Sequence, residues 1–218
     1  ARYSPQDLRK AENEMTFRDL RLCEKTGGSI HFCHVSTVEA IDAIAEAKAK
    51  GLHVSCEVTP HHIFFNDVQA NYYRVAPPFR KDADIEALIR RIQDGTVDAI
   101  ATDHAPHTPE DKQKGANGIS GIETAFALCY TKLVKGGYLT LNQLVKLMST
   151  TPSAMMRLPK GRFQVGMLAD FVEVDLSTPY TISSAEFASR GKNTPFEGQQ
   201  VYGRVLQTMK GGEVVYKA

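Results

Sequence analysis

An α/β fold is predicted, with a parallel sheet and outer helices over residues 1–160 and a small β-rich unit over 161–218. Three observations predict it. Helical and strand periodicities alternate from the start of the chain to about residue 103. Each of the first three strand-like runs leads into a histidine or an aspartate. Beyond Arg162 the pattern changes to short alternating runs punctuated by glycine.

The first element is a polar helix with a loose apolar stripe of Met15, Leu20, Leu22 and Cys23, closed by Gly27-Gly28. The strand "SIHFCHV" follows and ends at His34. "STVEAIDAIAEAKAKG" reads as a helix with Ser36 and Glu39 as a capping box, Ile41, Ile44 and Ala45 inward, and Gly51 as its stop. "LHVSCEVT" is the second strand, leading to His61 and His62. After a loop containing "YYRVAPPFR", Ile85, Leu88, Ile89 and Ile92 follow the i, i+3, i+4, i+7 spacing of an amphipathic helix. "VDAIAT" is the third strand and ends at Asp103. A glycine-rich loop then precedes helices around 123–134 and 141–149, with a short one at 153–158. "FQVGMLADFVEVDL" and "VYGRVLQTMKGGEVVYKA" read as antiparallel strands, with Gly211-Gly212 as a hairpin turn.

Composition narrows the function classes. Hydrophobic residues make up 42% and charged residues 23%, so the 218 residues can bury one large core or two small ones. A net charge of +1 removes any bulk electrostatic case for nucleic acid or an anionic membrane. No apolar run approaches the roughly 20 residues of a membrane span, and no basic stretch followed by an apolar one at the start of the sequence suggests secretion. Cys23, Cys33, Cys56 and Cys129 lie far apart without a CxxC pair, as expected of reduced thiols in a cytoplasmic protein.

All seven histidines fall between His31 and His107, which confines any imidazole chemistry to the first half. Taken singly, a histidine at a strand end is usually a surface residue, and an aspartate usually a helix or loop cap. The chemical case rests on three successive strands delivering such residues to one rim. That is where a (β/α)8 barrel builds its active site. Imidazole and carboxylate are also the usual ligands of a catalytic zinc. His31 is expected to face the helices and His53 to lie at the opposite rim, both as structural residues. His61 and His104 are expected to support the ligands from behind.

The blocks "HFCHVST", "EVTPHH", "PPFR", "ATDHAPHTPEDK", "GISGIETAFAL", "MLADFVEVDL" and "GKNTPFEGQ" together resemble class I bacterial dihydroorotases of the amidohydrolase superfamily. The resemblance runs in order from about Met15 to the C-terminus. It implies a zinc-dependent (β/α)8 barrel, of which this chain would hold about strands six to eight, with a small β domain. It implies the reversible closure of N-carbamoyl-aspartate to dihydroorotate in pyrimidine synthesis. By position, His34 matches a zinc ligand. Asp103 matches the aspartate that both binds zinc and acts as general acid/base. His107 matches the histidine that grips the substrate carboxylate, and Asn117-Gly118 a substrate-contacting turn.

Two departures stand out. Ala76 occupies the place of a substrate-binding asparagine. The family's His-x-His pair, its fourth-strand carboxylate or carboxylated lysine and its fifth-strand histidine have no match here. The expectation is therefore a C-terminal half that needs an N-terminal half to hold its one or two zinc ions and is inactive alone. A homo-oligomer is expected, with aspartate transcarbamoylase as a candidate partner. A hydantoinase- or allantoinase-like cyclic amidase is the nearest alternative, and a non-catalytic scaffold subunit is the other.

Overall fold

The computed structural model describes residues 4–218. Helix α1 (Pro5–Thr26) starts at a reciprocal Ser4–Asp7 capping box and stops at Gly27, whose φ is 68°. Its buried face carries Thr16, Leu20 and Cys23, the i, i+4, i+7 series, while Met15 and Leu22 turn outward. The expected apolar stripe is therefore corrected, because polar residues on this helix are drawn inward to make hydrogen bonds.

Helix α2 (Val38–Ala49) is capped by Thr37, whose hydroxyl accepts from the Ala40 amide at 3.3 Å. Ser36 is not the cap. Its hydroxyl donates to Glu12 at 2.6 Å, and Glu39 pairs with Arg9 instead. Ile41 and Ile44 are fully buried, as the spacing predicts.

Strands β1 (Ile30–Phe32), β2 (Val54–Val58) and β3 (Ala99–Ile100) form a parallel sheet in the order 1-2-3. Two five-residue helices interrupt predicted loops, α3 (Pro60–Phe64) and α5 (Pro109–Gln113). Each begins with a threonine cap followed by proline at the first helical position, and each is too short to show a periodicity. Helix α4 (Asp82–Gln93) buries Ile85, Leu88, Ile89 and Ile92 as expected. Full burial of such a side chain contributes about 1.5–3 kcal/mol. The core thus lies between the sheet and α1, α2 and α4.

The next helical run, α6 (Ala125–Cys129), continues as a wider π-type turn at Tyr130–Lys135. It is followed by α7 (Leu141–Val145), a second π-type turn and α8 (Thr151–Met155). Leu128, Leu133 and Leu144 anchor this run in the interior.

The last part of the chain is antiparallel. Strands β4 (Phe171–Asp175), β7 (Arg204–Lys210) and β8 (Glu213–Lys217) make one sheet, and β5 (Tyr180–Thr181) with β6 (Gln200–Val201) a small second one. Gly211 and Gly212 join β7 to β8 with φ of 61° and 89°, the paired positive angles of a type I′ turn. Ile182, Phe187, Phe196 and Val201 pack onto Phe64, Ala127 and Leu128, so the segment around β5 and β6 returns to the helical layer. Among the described residues no helix is long and apolar enough to cross a membrane.

Candidate active site

The backbone changes hand just past β1 and just past β3. His34 has φ 42° and Asp103 has φ 48°, both in the left-handed region. A non-glycine residue held there costs on the order of 1–3 kcal/mol. Each of these turns re-aims a side chain at the C-terminal end of its strand. Burial raises the Asp103 carboxyl pKa above the usual carboxylate range, the neighbouring His34 opposes that, and Glu57 adds to it.

A polar network fixes the segment that follows His34. Glu12 of α1 accepts from the Ser36 amide at 2.8 Å and the Ser36 hydroxyl at 2.6 Å. Buried Arg80 donates from Nε to Ser36 Oγ at 2.9 Å and from Nη2 to Glu12 at 2.8 Å. The arginine of "PPFR" therefore points into the protein and braces the His34 turn.

His61 and His62 do not lie on an exposed strand exit. Both are buried, within α3. His62 Nε2 donates to the Pro77 carbonyl at 3.0 Å, and its Nδ1 accepts from the Thr59 hydroxyl at 2.8 Å. This places His62 directly behind Ala76, which is exposed. His61 Nε2 is buried without a partner, and the ring packs against His62 and Phe79. Burial depresses the pKa of both imidazoles, so both are neutral at pH 7.

The "DHAPH" loop is held from three sides. His104 Nδ1 accepts from the amides of Gly121 at 3.1 Å and Ile122 at 3.3 Å, which places the proton of its neutral form on Nε2. His107 Nε2 donates to the Asn117 carbonyl at 2.8 Å, joining two of the predicted substrate residues. At Gly118, with φ 142°, a Cβ would lie 2.6 Å from the Ala105 carbonyl oxygen, so only glycine fits.

Two residues that sequence reasoning passed over organise this loop. Asn193 Oδ1 accepts from the His107 amide and the Ser120 hydroxyl, each at 2.9 Å, and Nδ2 donates to the Gly118 carbonyl at 3.0 Å. Lys112 Nζ donates to the carbonyls of Arg74, Ala116 and Gly118, each at 3.0 Å. It thereby ties the Ala76 segment to the Asn117-Gly118 turn. The signal for Asn193 was present in "GKNTPFEG", read as a motif without a role. Replacing Asn193 with Ala is expected to lower the unfolding free energy by about 2–3 kcal/mol, since several partly buried hydrogen bonds go at once. Urea unfolding measures it, and an unchanged midpoint would contradict this account.

His31 requires a correction. Its ring does not face the helices. It shares a sheet face with Cys33, two residues on, as strand alternation dictates. Neither His61 nor His104 hydrogen-bonds to His34 or Asp103 among the described residues, and their partners are those given above.

A family model described as the amidohydrolase family matches residues 9–215. A dihydroorotase of Clostridium botulinum is 49% identical over 215 residues, which is 99% of this chain and 54% of that protein. A dihydroorotase of a Geobacillus species is 46% identical over 209 residues, 92% of this chain and 49% of that protein. The chain spans about half the length of the curated relatives it matches. Among solved structures, an L-hydantoinase (dihydropyrimidinase) from Arthrobacter aurescens superposes with a TM-score of 0.88 at 32% identity, covering 94% of this chain and 48% of that one. A dihydropyrimidinase from Brevibacillus agri gives 0.90 at 27% identity, with 95% and 49% covered.

Proposed function

The chain belongs to the amidohydrolase family, and on that premise we propose that it forms one wall of a dihydroorotase active site. In this reading residues 1–160 are a partial (β/α)8 barrel and residues 161–218 a small β domain. The observation that carries it is the pair His34 and Asp103. Both occupy left-handed turns at the C-terminal ends of parallel strands, and both are close enough for their charges to interact. Strain of this kind clusters at functional sites, and here it falls on two ligand-type side chains that follow β1 and β3 of the same sheet.

The donors suit zinc. An imidazole nitrogen and a carboxylate oxygen are standard zinc ligands, and the raised pKa of Asp103 is that of a carboxylate without a positive partner strong enough to offset its burial. His34 and Asp103 would hold the metal together with ligands from further barrel strands, since a catalytic site uses three protein ligands. When bound, the metal would polarise the ring carbonyl and acidify water towards neutral pH.

The remaining work falls to the chain's own groups. In the hydrolytic direction the Asp103 carboxylate takes a proton from the attacking water and delivers it to the departing ring nitrogen. His107 donates Nε2–H to the Asn117 carbonyl, and reaches the substrate carboxylate from Nδ1–H as the imidazolium, in which both ring nitrogens donate. The Asn117-Gly118 turn positions the ring from the side. Ala76 leaves room where a side-chain amide would otherwise bond the ring. His61 and His104 support this rim through packing and backbone contacts.

A hydantoinase-like activity is the second reading. The solved neighbours named above and the lost amide at Ala76 favour it. The test is co-expression of this chain with the remaining part of the C. botulinum relative, followed by hydrolysis assays on dihydroorotate, hydantoin and allantoin. Preferential turnover of dihydroorotate is expected, with a loss of roughly 100-fold or more in Asp103→Asn. Preference for hydantoin would replace the first reading with the second. Turnover unchanged in Asp103→Asn would overturn both.

A further inference from the structure

Strand alternation sorts the residues of β1 and β2 into two sets. Ile30, Phe32, Val54, Cys56 and Val58 face the helices, while His31, Ser55 and Glu57 take the opposite face, joined by Cys33 one residue beyond β1. Pairing of His31 with Ser55 in the parallel register brings the last three ligand-type side chains together. One ligand atom each from His31, Cys33 and Glu57 all lie within 4.8 Å of one another. His31 Nε2 is 3.2 Å from Glu57 Oε2. Ligands bonded to a tetrahedral zinc at about 2.0–2.3 Å stand roughly 3.3–3.8 Å apart, so small side-chain adjustments would close the three around one ion.

The surroundings are suited to it. His31 Nδ1 lies 2.8 Å from Ser55 Oγ. Without a metal, Nε2–H donates to the Glu57 carboxylate and Nδ1 accepts from the Ser55 hydroxyl; metal ligation would move the proton to Nδ1, which Ser55 Oγ can then accept, freeing the Nε2 lone pair. This is the arrangement in which one imidazole nitrogen is oriented so that the other can ligate. Cys33 is the exposed thiol of the chain, while Cys23, Cys56 and Cys129 are buried.

We propose that His31, Cys33 and Glu57 form a site for a zinc-class divalent cation, adjoining the His34–Asp103 pair but built from other side chains. Imidazole nitrogen, thiolate sulfur and carboxylate oxygen would be the protein ligands, with a fourth position left to solvent. Binding breaks the Cys33 S–H bond, forms a metal–sulfur bond and releases one proton to the buffer. The site shares no ligand with the function proposed above, although Cys33 directly precedes His34, the Glu57 charge acts on Asp103, and both carboxylates act on the Cys33 thiol.

The test is anaerobic titration of the reduced chain with Co2+ alone. One equivalent is expected to produce a thiolate-to-cobalt charge-transfer band in the near ultraviolet. Cys33→Ala should abolish the band, and His31→Ala and Glu57→Gln should each weaken Co2+ binding on the order of tenfold or more. Cys23→Ala, His34→Ala and Asp103→Ala should retain it. In the unmodified chain, saturating Zn2+ should slow alkylation of Cys33 at least tenfold, a readout that needs no variant to fold. The proposal is overturned by absence of the band at saturation, by its survival in Cys33→Ala, or by an alkylation rate indifferent to Zn2+. It is equally overturned if the band needs His34 or Asp103 but not His31, which would assign the thiol to the rim.

Discussion

Between pH 6.5 and pH 4 the chain is expected to lose stability steeply, at up to about 2.7 kcal/mol per pH unit, because two buried histidines must be charged. His61 is 3% exposed and His62 is 1% exposed. Desolvation depresses both pKa values. His62 also faces Glu12 and Arg80, and both rings face His34. In the unfolded chain each imidazole titrates near its ordinary value of about 6.5. Above that pH neither state binds the extra protons, and the full stability is present. Below it the unfolded state binds them first, so stability falls until the pH reaches the depressed folded values. For His62 that window runs from about 6.5 down to about 4, and His61 adds a loss of the same sign.

Urea midpoints measured from pH 7 to pH 4 check this directly. His62→Gln keeps a hydrogen-bonding side chain but cannot take up the proton. It should remove about 1.4 kcal/mol per pH unit from the slope. A slope equal to that of the unmodified chain would show that His62 titrates normally in the fold. The effect bears on the candidate site as well, since His62 holds the Pro77 carbonyl behind Ala76.

What the sequence made legible follows from periodicity and from chemistry that gathers at strand ends. The amphipathic spacing in α4 names its buried residues one by one, and the three parallel strands were readable in order. His34 and Asp103 were readable as strand-end residues because each ends an apolar run. Their left-handed φ was not readable, since it arises from turns that tertiary contacts impose on residues other than glycine. Long-range polar pairing was equally hidden. Ser36 looked like a cap because Glu39 follows it by three, but Glu12 lies 24 residues upstream and competes successfully for its hydroxyl. Asn193 acts on His107 from 86 residues away, a separation at which spacing conveys nothing. His31 is a different case. Period-two alternation already placed it on the same face as Cys33, and the expectation that it faced the helices misapplied that rule.

Replacing Arg80 with Met is expected to destabilise the chain by about 3–5 kcal/mol, the usual consequence of removing one member of a buried ion pair. The Arg80 side chain is 5% exposed and that of Glu12 14%. Without the guanidinium, Glu12 keeps its Ser36 and Thr37 donors but loses its positive partner in a site that water barely reaches. Arg80→Lys should recover little, because a single ammonium cannot reproduce the fork that reaches Ser36 Oγ from Nε and Glu12 from Nη2. The double variant Arg80→Met with Glu12→Leu separates the two components. If the loss in Arg80→Met comes mainly from the stranded carboxylate, the double variant should regain about 1–3 kcal/mol relative to it. The regained stability would not restore the Glu12 bonds to the Ser36 and Thr37 amides, which set the turn immediately after His34. The network is therefore expected to behave as a positioning device whose stability contribution an apolar pair can replace and whose geometry it cannot. A loss below about 1 kcal/mol in Arg80→Met would refute the buried pairing on which this account depends.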